Sequence, residues 1–479
     1  MLAARVESEG PDRLEALWDW LSSWIASDGG VNGPVVHRGD LKRLVAIHDT
    51  PWTQAAIIEG LLHLYRRTGR DYWLGSAVRL GDAQCTRQES DGRFRWAGHE
   101  DDRFSSLVHN AFADCALLYL AGVLRDRSDS ARRNRYLVSA ERNLQNYVIG
   151  KLYRPRLRGF AMNPIDYYTG HDRFIVNMNS IAVEALIMLD RQRQTHRHTK
   201  LVLAVGERIR SLQSNDGPGE GGLPYSDLRL DEHIPLYTGL SLRGLPGLAQ
   251  VTGDPAWMEV ARGAVEFLER MKDPDTRLWY HRVDRDGVDR FPIFVAGAGM
   301  ICNGILDAAQ LTGSAVDTYD LAARLLRFQY HHGAIRNFIG YDHPDNGRAR
   351  GRGLECWEDV YPTPNWNAQA FHFLCRVLPP PEPPRRPLGR LAGAWSRRYV
   401  YMETPRFSTV VGMWPPGRSI VALYVKRLRH GLVVPGPDVV LRVAMHKIMK
   451  LRRGRNMMQW LRTWIARGRD RIVRRPDVR

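Results

Sequence analysis

The sequence has little of what marks secreted, membrane-spanning or zinc-binding chains. Its five cysteines are scattered through 479 residues without a CxxC pair. This spacing argues against a disulfide framework or a zinc knot and fits a reducing compartment. The N-terminus carries acidic residues and lacks a cationic start followed by an apolar run, so we predict no signal peptide. No stretch of about 18 uninterrupted apolar residues occurs, so we expect no membrane span. These absences favour a cytoplasmic protein.

Acidic residues are scarce at one end of the chain only. Residues 385–479 contain 23 Lys/Arg and 4 Asp/Glu, a net charge of +19, whereas the other residues together carry a net charge of −2. The formal net charge of +17 is therefore a property of the C-terminal segment. It gives no reason to expect an acidic substrate for the rest of the protein.

A short phrase recurs along the chain before this basic segment. It is Thr-Gly at the end of an apolar run, as in Gln250-Val-Thr-Gly253, Gln310-Leu-Thr-Gly313 and Thr68-Gly69. The interval from Gly69 to Gly253 is close to three times the interval from Gly253 to Gly313. A fixed period of this size indicates a repeat architecture.

Two sets of helices alternate in this region. The apolar set, rich in Ala, Gly and Leu, is predicted at 50–67, 105–123, 176–192, 234–251, 293–311 and 365–378. Each apolar helix follows an amphipathic helix, predicted at 12–27, 70–85, 132–149, 199–213, 255–271 and 315–329. The connections from apolar to amphipathic helices are short, and those in the other direction are long. This pattern predicts an all-α fold over residues 10–378, an (α/α)6 toroid of six helical hairpins. Its working face should lie at the long connections, where the inner helices begin.

The chain beyond the toroid reads as two further segments. A Pro-rich linker is predicted at 379–387, and a basic C-terminal extension with short strands and an amphipathic helix at 388–479. Trp460 and Trp464 stand among Arg and Lys within 439–475. Aromatic residues on a cationic helix favour an anionic membrane surface, which would make the protein a peripheral membrane protein. A basic helix packed on a partner or on the toroid is the alternative. Specific nucleic-acid binding is not expected, because no recognised module accompanies the charge. The sequence does not indicate an oligomeric state.

The layout, the Thr-Gly turns and the loop Glu89–Trp96 resemble the six-hairpin glycosidases and the toroidal polysaccharide lyases over residues 10–380. The resemblance implies a carbohydrate-active enzyme with a saccharide substrate in a funnel at the inner-helix N-termini. We predict neither a cofactor nor a metal. The substrate-binding candidates on that face are His48, Asp49, Trp52, Trp96, His109, Asn110, Tyr168, Asp172, Asn177, Asn179, Trp357, Tyr361, Asn365 and Trp366. Some of these have a simpler alternative, such as a helix N-cap for Asp49.

Paired carboxylates in two of the long loops favour glycoside hydrolysis. Glu358 and Asp359 stand among aromatic residues that could raise the pKa of a general acid, and Asp101 or Asp102 could act as the base across the cavity. Each carboxylate alone could equally be a cap, an ion-pair partner or part of a solvated turn.

The segment Asp231–Gly239 supports a second interpretation. It resembles the His-x-x-x-x-Tyr-Thr-Gly stretch of hyaluronate- and chondroitin-type lyases, one residue shorter. That resemblance implies a polysaccharide lyase or uronyl epimerase in which His233 and Tyr237 transfer protons and Asn177 or Asn179 neutralises a uronate. A non-catalytic glycan-binding or scaffold protein at a membrane is the third interpretation. The sequence leaves the sugar and its linkage open.

Overall fold

A computed structural model describes most of the toroid and part of the extension. The described residues are 2–25, 28–31, 35–36, 44–45, 51–94, 105–125, 127, 129–164, 172–340, 343 and 362–383, with the backbone of five strands between 392 and 435.

Thirteen α-helices alternate between an outer and an inner layer in this part of the chain. They are α1 (Leu2–Ser22), α2 (Pro51–Thr68), α3 (Asp71–Thr86), α4 (Leu107–Leu124), α5 (Ser130–Arg142, continued by a π-helix at Asn143–Leu152), α6 (Val176–Arg193), α7 (Thr199–Ser211), α8 (Pro235–Ser241), α9 (Leu245–Thr252), α10 (Ala256–Arg270), α11 (Gly299–Thr312), α12 (Thr318–Leu326) and α13 (Pro364–Val377). A 3₁₀ turn at Leu242–Gly244 joins α8 and α9 into one inner helix, and two further 3₁₀ turns of equal length lie at Pro155–Leu157 and Ala296–Ala298.

The inner helices form a closed ring. Around it, α2 packs on α4, α4 on α6, α6 on α8, α8 on α11, and α11 on α13, which returns to α2. Small residues permit these close contacts: a Cβ on Gly304 of α11 would lie 2.0 Å from the Gly239 carbonyl oxygen of α8. The predicted (α/α)6 toroid is confirmed.

The Thr-Gly phrase ends three inner helices in the same way. Gly69, Gly253 and Gly313 have φ of 65°, 66° and 73°. Each donates its backbone N–H to the carbonyl four residues earlier, at 2.7, 2.8 and 2.8 Å. This is the left-handed cap that glycine adopts without a steric penalty. The preceding threonine hydroxyls each donate to a carbonyl of the last turn. These turns mark the short-loop face of the toroid, and the long connections lie at the opposite, long-loop face.

The first outer helix differs from its prediction. It begins at Leu2, so Pro11 lies inside α1 instead of at its start. Packing explains the extra turns, because Val6 is buried and a Cβ on Gly10 would meet the Leu378 side chain at 3.1 Å. Contacts with the toroid outweigh the backbone hydrogen bond that a proline removes from a helix.

Strands are confined to the long connections and to the C-terminal extension in the described residues. Four short antiparallel pairs join β1 (Val35–Val36) with β2 (Leu44–Val45), β3 (Tyr153–Arg154) with β4 (Gly159–Phe160), β5 (Arg282–Asp284) with β6 (Gly287–Asp289), and β7 (Ile293–Phe294) with β8 (Phe338–Ile339).

The extension contains a five-stranded antiparallel meander. Its strands are β9 (Ala392–Trp395), β10 (Tyr399–Glu403), β11 (Phe407–Gly412), β12 (Ile420–Val425) and β13 (His430–Pro435). The predicted short strands are therefore present, and β13 contacts β2 of the first long connection. The predicted helix at 439–475 lies outside the described residues, and the proposed domain boundaries stay a prediction.

Helix α4 alone among the described helices is long and apolar enough to span a membrane. However, 83% of that stretch is buried inside the protein, as expected for an inner helix of the ring. Its composition is therefore explained by the core.

Candidate functional site

The candidate site is the long-loop face, where the inner helices begin; we call this part of the face the funnel, after the saccharide site that the resemblance implies. Some of the N-terminal backbone N–H groups expected to face it are already paired. The first N–H of α4 donates to Met162 O at 2.7 Å, and that of α6 donates to Tyr225 O at 3.2 Å. Each of these two helices is thus capped by the long loop of the next hairpin, which leaves fewer free donors for a ligand than the sequence suggested.

Aromatic side chains from neighbouring inner helices meet at the funnel. Trp52 in the first turn of α2 lies edge-to-face with Trp366 in the first turn of α13, with ring centroids 5.4 Å apart. The Trp52 ring also lies 6.3 Å from the His109 ring of α4. Phe294 packs edge-on against Trp366 at 5.3 Å, and His281 stacks on Phe294 at 5.6 Å. Both tryptophans are only partly buried. We call Trp52, His109, Phe294 and Trp366 the aromatic wall; three of the four were candidates from sequence.

Many predicted site residues lie outside the described residues. They include both members of each predicted acid–base pair. The full set is His48, Asp49, Trp96, Asp101, Asp102, Tyr168, Trp357, Glu358, Asp359 and Tyr361. Their roles stay predictions.

Two predicted ligand-binding asparagines hold loops in place instead of facing the funnel. Asn179 has no exposed surface; its amide accepts from Phe160 N at 2.8 Å and donates to Phe160 O and Ile175 O. Asn110 is equally buried and accepts from Phe94 N at 2.9 Å while donating to Ser105 Oγ. Both amides are satisfied within the protein, so the geometry gives them a structural task, and their role in substrate binding stays a prediction.

This task recurs at one position of the toroid. The fourth residue of five of the six inner helices anchors the loop before it: Gln54 to Gly29 O, Asn110 to Phe94, Asn179 to Phe160, Thr238 to Leu223 O, and Asn367 to Ile335. The repeat becomes visible in the sequence when the six hairpins are aligned with one another. Such an alignment could have identified these anchoring residues.

His233 turns toward the outer layer. Its ring lies 5.7 Å from that of Phe267 in α10, and a Cβ on Gly219 would meet it at 2.4 Å. Nε2 lies 2.8 Å from Ser214 Oγ and Nδ1 lies 3.2 Å from Asp231 O, so both nitrogens have partners within the protein. Burial lowers the pKa of His233, which keeps the ring neutral at pH 7. The structure does not bring it to the aromatic wall.

The remaining described candidates lie in the first turns of inner helices or near them. Tyr237 packs on Tyr225 with ring centroids 4.8 Å apart. Asp172 accepts from Arg154 Nε at 2.8 Å, and Asn365 accepts from the Trp366 backbone at 2.9 Å. Asn177, in the first turn of α6, is buried, and its Oδ1 has no hydrogen-bond partner among the described residues. Of these, only Asn177 leaves a buried polar atom unsatisfied.

Sequence reasoning missed a layer of ionisable residues inside the ring. The ninth residue of each inner helix is Glu59, Cys115, Glu184, Arg243, Asp307 and His372 in chain order. Eight residues of helix place this layer about 12 Å below the helix starts. We call it the ionic ring. The signal was a polar residue at one register of otherwise apolar helices.

Arg243 is the centre of the ionic ring. It contacts Glu59 at 3.1 Å and Glu184 at 2.8 Å, and its side chain is 7% exposed. His372 Nδ1 lies 3.4 Å from Glu59 Oε2. Burial raises the pKa of Glu59 to about 7, although Arg243 acts in the opposite direction. The guanidinium also lies 5.1 Å from the Phe112 ring. Because Phe112 in turn lies 6.4 Å from Trp52, it separates the ionic ring from the aromatic wall.

The ring has a polar continuation toward the short-loop face. One turn beyond Glu59, His63 stacks on His372 at 5.6 Å, and Arg376 donates to Asp307 at 2.8 Å. Burial, aided by Arg376 and nearby arginines, lowers the pKa of His63 to about 3. Within the described residues, no group of three or more His, Cys, Asp or Glu side chains is arranged to hold a metal ion.

Comparison with solved structures identifies the architecture. A cellobiose 2-epimerase from Bacillus thermoamylovorans matches with a TM-score of 0.56 and 12% identity, covering 77% of this chain and 100% of the epimerase. An unsaturated glucuronyl hydrolase of glycosaminoglycan degradation from a Bacillus species matches with 0.51 and 15%, covering 78% and 96%. An α-1,6-mannanase from a Salegentibacter species, in complex with α-1,6-mannotetrose, matches with 0.52 and 12%, covering 76% and 98%. No protein-family model and no curated protein matches the sequence. At these identities the likeness confirms the six-hairpin fold.

Proposed function

We propose that this protein is a carbohydrate-active enzyme that binds a saccharide in the funnel against the aromatic wall. The observation that carries the proposal is the edge-to-face pair of Trp52 and Trp366, both partly exposed, in the first turns of adjacent inner helices. Indole faces offer large, rigid apolar area to the C–H face of a sugar ring at low entropic cost. Three proteins that share the fold act on cellobiose, glycosaminoglycan fragments and α-1,6-mannan by their names.

Glycoside hydrolysis is the reaction we favour. The loop at 351–361, with Glu358 and Asp359, leads into α13, and the loop at 95–104, with Asp101 and Asp102, leads into α4. Helix α2, which carries Trp52, contacts both α13 and α4, the two helices that these carboxylate pairs precede in the sequence. This order along the chain supports a general acid and a base supplied from either side of Trp52, the arrangement that glycosidases use.

Elimination or epimerisation through Asn177 or Asn179, His233 and Tyr237 has less support. The amide of Asn179 is saturated by Phe160 and Ile175, and the His233 ring is engaged by Ser214 and packed on α10. A proton abstracted from a sugar carbon needs a base within hydrogen-bond reach of the substrate. His233, the predicted base, is held by Ser214 and packs on Phe267 of α10, whereas Asn177 and Tyr237 stay candidates.

Turnover of a panel of neutral and uronate-containing oligosaccharides tests the proposal. We expect new reducing ends with the wild-type protein, and a loss of at least a hundredfold in kcat for Glu358→Gln or Asp359→Asn and for one of Asp101→Asn and Asp102→Asn. Trp366→Ala should raise KM more than it lowers kcat, because it removes a binding surface. Asp216→Asn, an exposed residue of another long loop, is the matched control and should keep full activity.

The product distinguishes the alternatives. Ultraviolet absorbance from a new C4–C5 double bond would show that the reaction is elimination and not hydrolysis. Deuterium incorporated from heavy water at a sugar carbon, without chain cleavage, would show that the reaction is epimerisation. Saccharide binding without turnover of any oligosaccharide in the panel would show that the protein is not catalytic.

A further inference from the structure

Two side-chain amides inside the ring of inner helices each leave a buried atom without a hydrogen bond. They are Asn177 of α6 and Gln369 of α13, and each residue is 2% exposed. Asn177 Oδ1 and Gln369 Nε2 have no partner among the described residues. Buried amides are normally hydrogen-bonded, because an unpaired one has lost its hydration without compensation. A partner from outside the chain would satisfy both groups.

Both amides lie on the interior side of their helices. Asn177 precedes Glu184 of the ionic ring by seven residues on α6. Seven residues turn a helix through nearly two full turns, so the two side chains differ in direction by only about 20°. Gln369 lies on α13 between Trp366 of the aromatic wall and His372 of the ionic ring, three residues from each. Residues three apart share one face of a helix, so Gln369 faces the same interior.

The two amides belong to opposite sides of the ring. Helix α6 is the third and α13 the sixth of the six inner helices, and α13 closes the ring on α2. Neighbouring axes 8–10 Å apart make such a ring about 16–20 Å across. Asn177 is the second residue of its helix, as Trp52 is of α2, and Gln369 is the sixth residue of α13, about one turn deeper. An acceptor and a donor therefore approach one space from two sides, at and below the aromatic wall.

The cations that lie deeper in the interior are already occupied. Arg243 is held by two carboxylates of the ionic ring at 3.1 and 2.8 Å, and Arg376 is held by Asp307 at 2.8 Å. Burial lowers the pKa of His372 well below its usual value, so its ring is neutral at pH 7. A uronate carboxylate placed here would be a buried charge whose nearest cations are already paired. A sugar hydroxyl, in contrast, can both donate a hydrogen bond and accept one.

We propose that Asn177 and Gln369 bind hydroxyl groups of the saccharide and select an uncharged sugar at the inner end of the funnel. Asn177 Oδ1 accepts from one hydroxyl, Gln369 Nε2 donates to another, and the indoles of the aromatic wall cover the C–H face of the ring. A site with buried hydrogen-bonding groups rejects analogues that leave those groups unpaired. The inference rests on the proposed function and names its substrate class, a neutral oligosaccharide.

Binding measured by titration calorimetry tests the inference. The probes are neutral gluco-, manno- and galacto-tetrasaccharides, and hyaluronan and polygalacturonate tetrasaccharides as uronate-bearing ones. We expect the wild type to bind a neutral probe at least tenfold more tightly than either uronate probe. Asn177→Leu and Gln369→Met should each weaken neutral binding by about tenfold, because they remove a hydrogen bond while nearly keeping the shape of the side chain. Gln250→Met, in the exposed end of α9, is the matched control and should bind like the wild type.

Thermal melting separates a ligand-binding amide from a structural one. Because Asn177 and Gln369 leave amide atoms unpaired, Asn177→Leu and Gln369→Met should keep or raise the melting temperature. Asn179→Leu, two residues further along α6, removes the hydrogen bonds to Phe160 and should lower it by several degrees. A fall in Asn177→Leu as large as that in Asn179→Leu would overturn the inference, because the amide would then have a structural partner.

The outcomes also separate this inference from the proposed function. Equally tight binding of a uronate probe would overturn the inference alone. Neutral binding that both amide variants leave unchanged would do the same, and would assign the two amides to ordered water. If the wild type neither binds nor turns over any probe, the proposed function fails and the inference fails with it.

Discussion

At the scale of single residues, the side of the helix on which a side chain lies affects its role more than its residue type does. Asn177 and Asn179 lie two residues apart on α6, and the sequence offers no reason to separate them. The amide of Asn179 is fixed by Phe160 and Ile175, whereas Asn177 leaves Oδ1 unsatisfied at the helix start. A helix turns by about 100° per residue, so residues two apart point to nearly opposite sides.

Asp114 gives the sharpest prediction at this scale. It is fully buried in α4, and neither carboxyl oxygen has a hydrogen-bond partner among the described residues. Burial raises its pKa well above the usual range, so the folded protein keeps it protonated. The unfolded chain ionises it above about pH 4. Stability from this group is therefore lost as pH rises above the unfolded pKa.

Asp114→Asn should accordingly raise the melting temperature by a few degrees near neutral pH, because the amide cannot ionise in either state. Most of the gain should be lost near pH 4, where about half of the unfolded carboxyl is protonated. Thermal melts of Asp114→Asn and of the exposed control Asp216→Asn at both pH values measure the difference. An equal shift at the two pH values would show that packing, and not ionisation, is responsible.

At the scale of elements, the helix ends that depend only on local backbone conformation were predictable from the sequence, and those that depend on distant contacts were not. The Thr-Gly ends were predictable because a residue with positive φ strongly favours glycine, and the cap needs nothing from the rest of the protein. The start of α1 was not predictable in the same way. Its first turns depend on Val6 and Gly10 meeting the toroid, and the partner Leu378 comes from the opposite end of the toroid sequence.

The same distinction applies to the candidate site. Trp52 and Trp366 were identified because a helix start after a long loop has a predictable location, and their pairing follows from ring closure. The orientation of His233 could not be predicted, because it depends on Ser214, Gly219 and Phe267, which come from three other segments. The ionic ring likewise became visible only after the register of the six helices was known.

Substitution of two glycines distinguishes the stabilising effect of the glycine cap from the general effect of glycine on helix stability. Gly253→Ala should lower the free energy of unfolding by about 1–2 kcal/mol, because alanine is strained at φ of 66°. Gly75→Ala, in the exposed middle of α3, should raise it by about 0.5–1 kcal/mol, because alanine suits a helix better. No neighbouring atom lies within 4 Å of an added Cβ at either site. Urea unfolding measures both; changes of the same sign would refute the cap interpretation.

At the scale of the whole molecule, buried histidines predict how the toroid responds to acid. Burial lowers the pKa of His63, His233 and His372 in the folded protein. An unfolded histidine binds a proton below about pH 6.5. The stability that these residues contribute is therefore present above that pH and is lost as the pH falls.

Melting temperatures between pH 7 and 4.5 should fall, and His63→Gln should flatten part of that fall because glutamine does not titrate in this range. His196→Gln is the matched control, since His196 is an exposed histidine between α6 and α7. If the pH profile of His63→Gln matched that of the wild type, burial in the toroid would not be what keeps His63 neutral.

The ionic ring makes a final prediction about how the toroid is held closed. Arg243, from the α8–α9 inner helix, joins Glu59 of α2 to Glu184 of α6, across the barrel interior. Removing one member of a buried ion network leaves uncompensated charge, which costs about 3–5 kcal/mol. Arg243→Met should reduce the free energy of unfolding by that amount.

The triple variant Glu59→Leu/Glu184→Met/Arg243→Met should regain most of the loss, because no charge is then left buried without a partner. Arg262→Met, which breaks an exposed pair with Glu259, should change stability hardly at all. Urea unfolding of the three variants separates the contributions. If Arg243→Met were as mild as Arg262→Met, the ring would not hold the helices together. If the triple variant were as damaged as Arg243→Met, the cost would come from lost packing, and the charges would matter less than the shape of the side chains.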